Sequence, residues 1–176
     1  MKAVFDQPIA ASADDAQEAF LDPGFYATLG QLPGISAPEV RSCSRPSPES
    51  ARLELGYRFA GTLSGPARRL LDPSKLTWTQ VTEVDLSARR TRVEMVPDHY
   101  RDIFTFSGWY ELRAEGPGHS SQHLEGDLRV RLPLLGPLAE RAIASGIRQN
   151  LAATARLLER FVGERSAGPV AEDGHG

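Results

Sequence analysis

The sequence predicts an α+β fold, a curved antiparallel sheet of about seven strands in the order β-α-α-β6-α, wrapped on one long C-terminal helix. Three observations carry this. Successive short segments in the middle of the chain alternate apolar and polar residues and are joined by tight connections, the pattern of an antiparallel sheet with one dry face. The last part of the chain is a single long segment of helical periodicity with a wide apolar arc. That helix is the one element large enough to cover the dry face, which has to be covered.

Taken in order, "KAVFDQPI" reads as a strand over about residues 2 to 9. Ser12 can cap the helix that follows, with Asp15 three residues on, as in a capping box. Asp22 caps a second short helix that has Pro23 at its first position, and "PGIS" stops it. "RLELGYRFAG" alternates, with Leu53, Leu55, Tyr57 and Phe59 on one side. "LTWTQVTEVD", "RTRVEMVP", "DIFTFSGWYELRA" and "QHLEGDLRVRLP" continue the sheet, with "EGPGHSS" as a hairpin loop. "GPARRLLDPSK" interrupts the strands as a short helical or irregular flap. The closing helix runs from roughly Leu134 to Glu164.

Composition bounds the function. A chain of 176 residues suits one domain, placed at 1–164, and the small polar stretch 165–176 is expected to be a disordered tail. Hydrophobic content of 40% and charged content of 24% are those of an ordinary globular protein. A net charge of −3 gives no reason to expect nucleic acid as a partner. A single cysteine, Cys43, excludes a disulfide framework and a cysteine zinc site. The N-terminus lacks the apolar run of a signal peptide, and no segment approaches the ~18 apolar residues of a membrane span. A cytoplasmic location is expected, with at most transient contact with a membrane surface. Oligomeric state is open.

Three pieces, "SADDAQEAFLDPGFY", "YRFAGTLSGPARRLLDPSKLTWTQ" and "VRLPLLGPLAERAIASGIRQNLAATARLLERFV", resemble the START-like superfamily, also called SRPBCC or helix-grip. Within it the chain looks closest to an uncharacterised bacterial domain family. The resemblance implies a deep apolar pocket between sheet and C-terminal helix, of the kind that takes lipids, sterols, polyketides or hormones. Some members are enzymes of cyclisation or dehydration. The nearest group has no activity to transfer, so the resemblance carries fold and ligand class and no catalytic residue.

A pocket also accounts for an oddity of the long helix. Gly146, Asn150 and Thr154 lie four apart on one stripe, among Ile143 and Ile147. Small residues leave volume, and two polar groups can orient a ligand. The pair also has a purely structural account, in which Thr154 bonds the carbonyl of Asn150 and Asn150 bonds a strand or water. On the sheet, Tyr57, Phe59, Trp78, Met95, Phe104, Phe106, Tyr110 and Leu128 are expected to line the same space or to fill the core. The tyrosine hydroxyls need partners if buried.

Other residues are weaker candidates. "PDHYRDIF" places His99 among carboxylates, but adjacent loop residues do not converge by spacing, so it reads as a connection or a lip of the pocket. There is no HExxH pattern and no GxSxG elbow; no metal, cofactor or catalytic residue is expected. His123 falls on the charged face with Glu125 and Asp127 and is expected at the surface. "RRLLDPSK" and "RVRLPLLGPL" mix basic residues with leucines, as a membrane-touching segment or as ordinary connections. Trp109 faces outward by alternation and marks an edge or a contact patch. The expected function is binding of a hydrophobic or amphipathic small molecule such as a lipid or polyketide. Two alternatives stand: a cyclase- or dehydratase-like enzyme on the same fold, and a protein-interaction module with a filled core.

Overall fold

The computed structural model describes residues 1–168. Strand β1 spans Lys2–Ile9, and helices α1, Ala13–Phe20, and α2, Pro23–Thr28, follow it. Strands β2, Glu39–Ser47, and β3, Ser50–Arg58, lead into helix α3, Gly65–Arg68, and a 3-10 turn at Pro73–Lys75. Strands β4, Thr77–Asp85, β5, Arg90–Pro97, β6, Phe104–Gly116, and β7, His119–Val130, complete the sheet. Helix α4, Gly136–Ala167, closes the chain. It runs past residue 164, and 169–176 of the expected tail lie outside the described residues.

The caps are where side-chain chemistry places them. Ser12 Oγ accepts from the Asp15 amide at 3.1 Å, and Asp22 Oδ1 accepts from the Gly24 amide at 2.8 Å. The β6–β7 hairpin turns on Pro117 and Gly118, with φ at Gly118 of +68°. His119 therefore belongs to the first pair of β7, opposite Gly116, rather than to the loop.

The sheet is one antiparallel layer in the order β1-β7-β6-β5-β4-β3-β2. The fold is the helix-grip α+β fold expected from the sequence, with its seven strands curved around α4. The strand that no alternating segment announces is β2: it lies at the sheet edge, and most of its residues are exposed. An edge strand that buries neither face has no period-2 signal to show.

Two glycines face each other where β6 and β7 cross under the helix, Gly108 opposite Gly126. A Cβ on Gly108 would stand 2.3 Å from the Glu125 carbonyl oxygen, and one on Gly126 would stand 2.7 Å from the Phe106 ring. The strands approach too closely here for a side chain, and the ring of Phe106 occupies the space above.

Helix α4 packs on β1 and β7 and on α1. Two buried clusters form on either side. One joins Phe20, Phe25, Leu53, Leu55 and Leu112 to Ala155 and Leu158 of the distal half of α4. The other joins Phe5, Phe106, Leu124 and Leu128 to Ala144, with Ile147 and Leu151 against it. Among the described residues no helix is long and apolar enough to cross a membrane.

His123 lies on the outer face, as alternation predicts, but it is not at the surface: it is 8% exposed. Its ring lies 5.7 Å from that of Trp109, and its nitrogens meet Asp6 at 2.6 Å and Glu125 at 3.0 Å. Trp109 in turn lies under the Arg90 guanidinium, 3.9 Å from the ring centroid. The outward patch is thus covered by its own neighbours. Sequence alternation gives the face of a residue and cannot give what long side chains fold over it.

Two predictions follow from this packing. Gly108→Ala is expected to destabilise by about 1–3 kcal/mol, since a methyl must displace backbone, and a lowered urea midpoint at unchanged slope would report it. The second concerns pH. Hydrogen bonds to Glu125 and Asp6 raise the pKa of His123 above its ordinary 6.5. The stabilisation from its charged form is therefore complete below pH 6.5 and is lost as pH rises through the raised value. The difference in urea midpoint between the wild type and His123→Gln is expected to shrink across that interval.

Candidate functional site

Between α4 and the middle strands lies a cavity of about 740 Å³. Its floor comes from the inner faces of β3 to β7, and its roof comes from α4 between Leu138 and Thr154. Its volume is within the ~300–1,000 Å³ usual for small-molecule sites. The helix meets β1, β7 and α1, and the void lies where it stands off the middle strands of the curved sheet.

Of the residues singled out in the sequence, Tyr57, Phe59, Trp78, Met95, Phe104, Phe106 and Tyr110 line the cavity from the sheet. Ile143, Gly146, Ile147, Asn150 and Thr154 line it from the helix. Leu128 does not: it is wholly buried in the cluster beside Phe106 and Ala144. A Cβ on Gly146 would meet nothing within 4 Å, so the helix stripe borders open space.

Periodicity missed the irregular walls. Leu29, Leu32 and Ile35, from the segment after α2, close one side. Ala67 and Leu71 of the flap and Tyr100 and Ile103 of the β5–β6 loop form the mouth. The flap is tied to that loop, since the Asp72 amide donates to the Tyr100 hydroxyl at 3.0 Å. Gln80 and Gln122 add two amides to the floor. Loop residues carry no period, so nothing in the local pattern marks them as lining.

The electrostatics of the wall are uniform. Among the described residues that line the cavity there is no Asp, Glu, Lys or Arg, and the one histidine, His99, is exposed at the mouth. Burial pushes the Tyr57 hydroxyl well above the usual phenol range. Burial also raises Tyr110, against a smaller opposing effect from the Thr91 hydroxyl. Burial first, and then the neighbouring Tyr110, raises Tyr26, whose hydroxyl donates to the Phe20 carbonyl at 2.8 Å. These phenols stay protonated at neutral pH and act as hydrogen-bond donors, not as bases.

Two wall residues carry buried polar atoms with no hydrogen-bond partner among the described residues, Asn150 Oδ1 and Trp78 Nε1. Trp78 stacks on Tyr57 with ring centroids 5.8 Å apart, which fixes the indole without satisfying its N–H. The bond from Asn150 to a strand, one of the two accounts open at the level of sequence, does not form at its carbonyl oxygen.

Comparison with known proteins agrees with this fold. The family model described as "Protein of unknown function (DUF2505)" matches residues 5–162. No curated protein matches the sequence. Among solved structures, the Zhui aromatase/cyclase from Streptomyces sp. R1128 is similar with a TM-score of 0.63 at 18% identity, covering 97% of this chain and 99% of that one. Norcoclaurine synthase from Thalictrum flavum gives 0.62 at 17% identity, covering 93% and 87%. A START superfamily protein from Mycobacterium smegmatis gives 0.54 at 17% identity, covering 93% and 98%. At these identities the likeness shows the fold, which is START-like, and leaves the chemistry to each site.

An orphaned buried acceptor is costly, and an apolar side chain of similar size removes that cost. Asn150→Leu is expected to stabilise the ligand-free protein by about 1–3 kcal/mol. A thermal melt of protein stripped of bound small molecules checks it; a lower melting temperature would mean that the amide is satisfied.

Proposed function

The chain belongs to the DUF2505 family, which brings no activity with it, and from the cavity itself we propose that it binds an uncharged, largely apolar small molecule. The observation that carries this reading is a space of about 740 Å³ whose wall has no carboxylate, lysine or arginine among the described residues. A charged group taken into such a wall would lose hydration and gain no counter-ion. A neutral apolar molecule would gain about 25 cal/mol for each Å² removed from water. Orientation would come from the Tyr57 and Tyr110 hydroxyls and from the Asn150 amide, few polar groups in an apolar wall. Molecules of the lipid or polyketide class fit that description.

The volume itself weighs against a filled interaction module. An enzymatic reading, cyclase-like after the similar folds, has His99 to rest on. That side chain is exposed at the mouth, while the phenols inside are held protonated, so a proton acceptor deep in the cavity is wanting.

Native mass spectrometry of the purified protein, followed by solvent extraction, tests the reading. A neutral apolar mass is expected to be released. Gly146→Phe is expected to fill the space opposite the sheet, to melt no lower than the wild type, and to carry no such mass. Severe unfolding of this variant, or release of an anionic molecule held in the cavity, would overturn the proposal.

A further inference from the structure

The exposed apolar side chains of this chain are not scattered. Large ones among the described residues are Met1, Val4, Leu70, Leu134 and Leu138. The first two belong to the N-terminal strand region, and the three leucines stand around the cavity mouth. Leu138 lines the cavity, and Leu70 and Leu134 each precede a lining residue, Leu71 and Leu135. Their exposures are 52% at Leu70, 99% at Leu134 and 62% at Leu138.

Leu134 is the most informative. Its backbone is left-handed, with φ of +62°, a conformation that a residue with a Cβ adopts only under constraint. Its side chain is 99% exposed, so no packing among the described residues compensates. Glycine would suit the backbone and serine would suit the solvent. A strained and wholly exposed leucine is a side chain displayed outward at a fixed angle, just before the first turn of α4.

The charge around these leucines is positive on balance. Segments 61–76, 97–103 and 129–142, which frame the mouth, carry seven Arg and Lys residues and four carboxylates, a net of +3 in a chain of net −3. All seven cations are exposed, and none is in a salt bridge among the described residues. Three of the four carboxylates are engaged locally: Asp72 by Ser74, Asp98 by the Thr77 hydroxyl at 2.6 Å, and Glu140 by the Val130 amide at 3.0 Å.

We propose that this rim is a docking site for the surface of an anionic phospholipid bilayer. Leu70, Leu134 and Leu138 reach into the interfacial layer, and Arg68, Arg69, Lys75 and Arg131 lie level with the phosphates. The mouth then opens onto lipid rather than water, so an apolar cargo crosses no aqueous gap. The charge pattern is what selects a bilayer over a second copy of the chain: two rims of net +3 would repel.

Flotation of the purified protein with vesicles tests this. Vesicles of equal phosphatidylcholine and phosphatidylglycerol are expected to carry it at low salt and to release it at high salt; vesicles of phosphatidylcholine alone are expected to bind at least roughly tenfold less. Leu134→Gly combined with Leu138→Ser is expected to lose roughly tenfold in binding. Because glycine relieves the left-handed backbone, the single variant Leu134→Gly is also expected to melt no lower than the wild type, which separates lost docking from lost folding. Arg68→Gln with Arg69→Gln is expected to weaken binding roughly fivefold per charge. Gly146→Phe is expected to dock normally, so a failure of the cavity reading and a failure of this one remain distinguishable. The proposal falls if the wild type floats with neither vesicle, if the leucine variants bind as the wild type does, or if those variants merely convert a dimer to a monomer in light scattering while vesicles are ignored.

Discussion

The close approach of β6 to β7 at Gly108 and Gly126 governs much of this architecture. With two side chains missing from the inner face, the sheet can bend under the helix and Phe106 can lie across the gap. The curved sheet and the helix then part company over the middle strands. Helix α4 is anchored where it meets β1 and β7, and again where its distal half meets α1. The space between the anchors is a consequence of backbone geometry, present whatever fills it.

That space is dry in character because of how charge is placed. Outward positions of the strands carry the charged residues, as Arg52, Glu54 and Glu83 do, and these pair with one another on the outer face. Inward positions carry aromatic and aliphatic residues with occasional hydroxyls and amides. Alternation with period 2 therefore does two things at once: it makes the sheet amphipathic, and it strips the cavity of ions. Function of the binding kind needs no further machinery than this segregation. Acid–base chemistry would need one ionisable group on the wrong side of the sheet.

The same segregation explains how much was legible in the sequence. Strands with one buried face, such as β3 and β7, announce themselves by alternation, and their inward residues follow from it. Asn150 and Thr154 stood out because a polar pair on an apolar stripe breaks the helical pattern, and the cavity lies beneath them. Leu128 shows the limit of that reasoning. It shares the inward face of β7 with Leu124, yet Leu124 borders the cavity and Leu128 is sealed in the cluster with Ala144. Facing inward is a property of sequence period; facing a void depends on where the helix lifts off the sheet. Strand β2, the walls near Leu32 and Leu71, and the covered state of His123 were out of reach for a related reason, since each is decided by partners distant in the chain.

Stability and site are divided between different stretches of one helix. Ala144 packs in the cluster near β1 and β7, and Ala155 and Leu158 pack in the cluster near α1 and α2. Residues between them, Gly146, Asn150 and Thr154, border the cavity and take little part in either. Buried contacts at the two anchors carry the cost of holding the helix above a void, which close packing alone would collapse. That stripe of the helix is thereby released from core duty, while Ile147 and Leu151 on its flank still pack against the cluster near β1 and β7. Its glycine and its amide can be where a well-packed helix would have alanine and leucine, and the orphaned oxygen of Asn150 is tolerable because the buried contacts at the anchors offset its cost. Polar and small residues accumulate where the scaffold has made them affordable, and that is also where a ligand would have to be met.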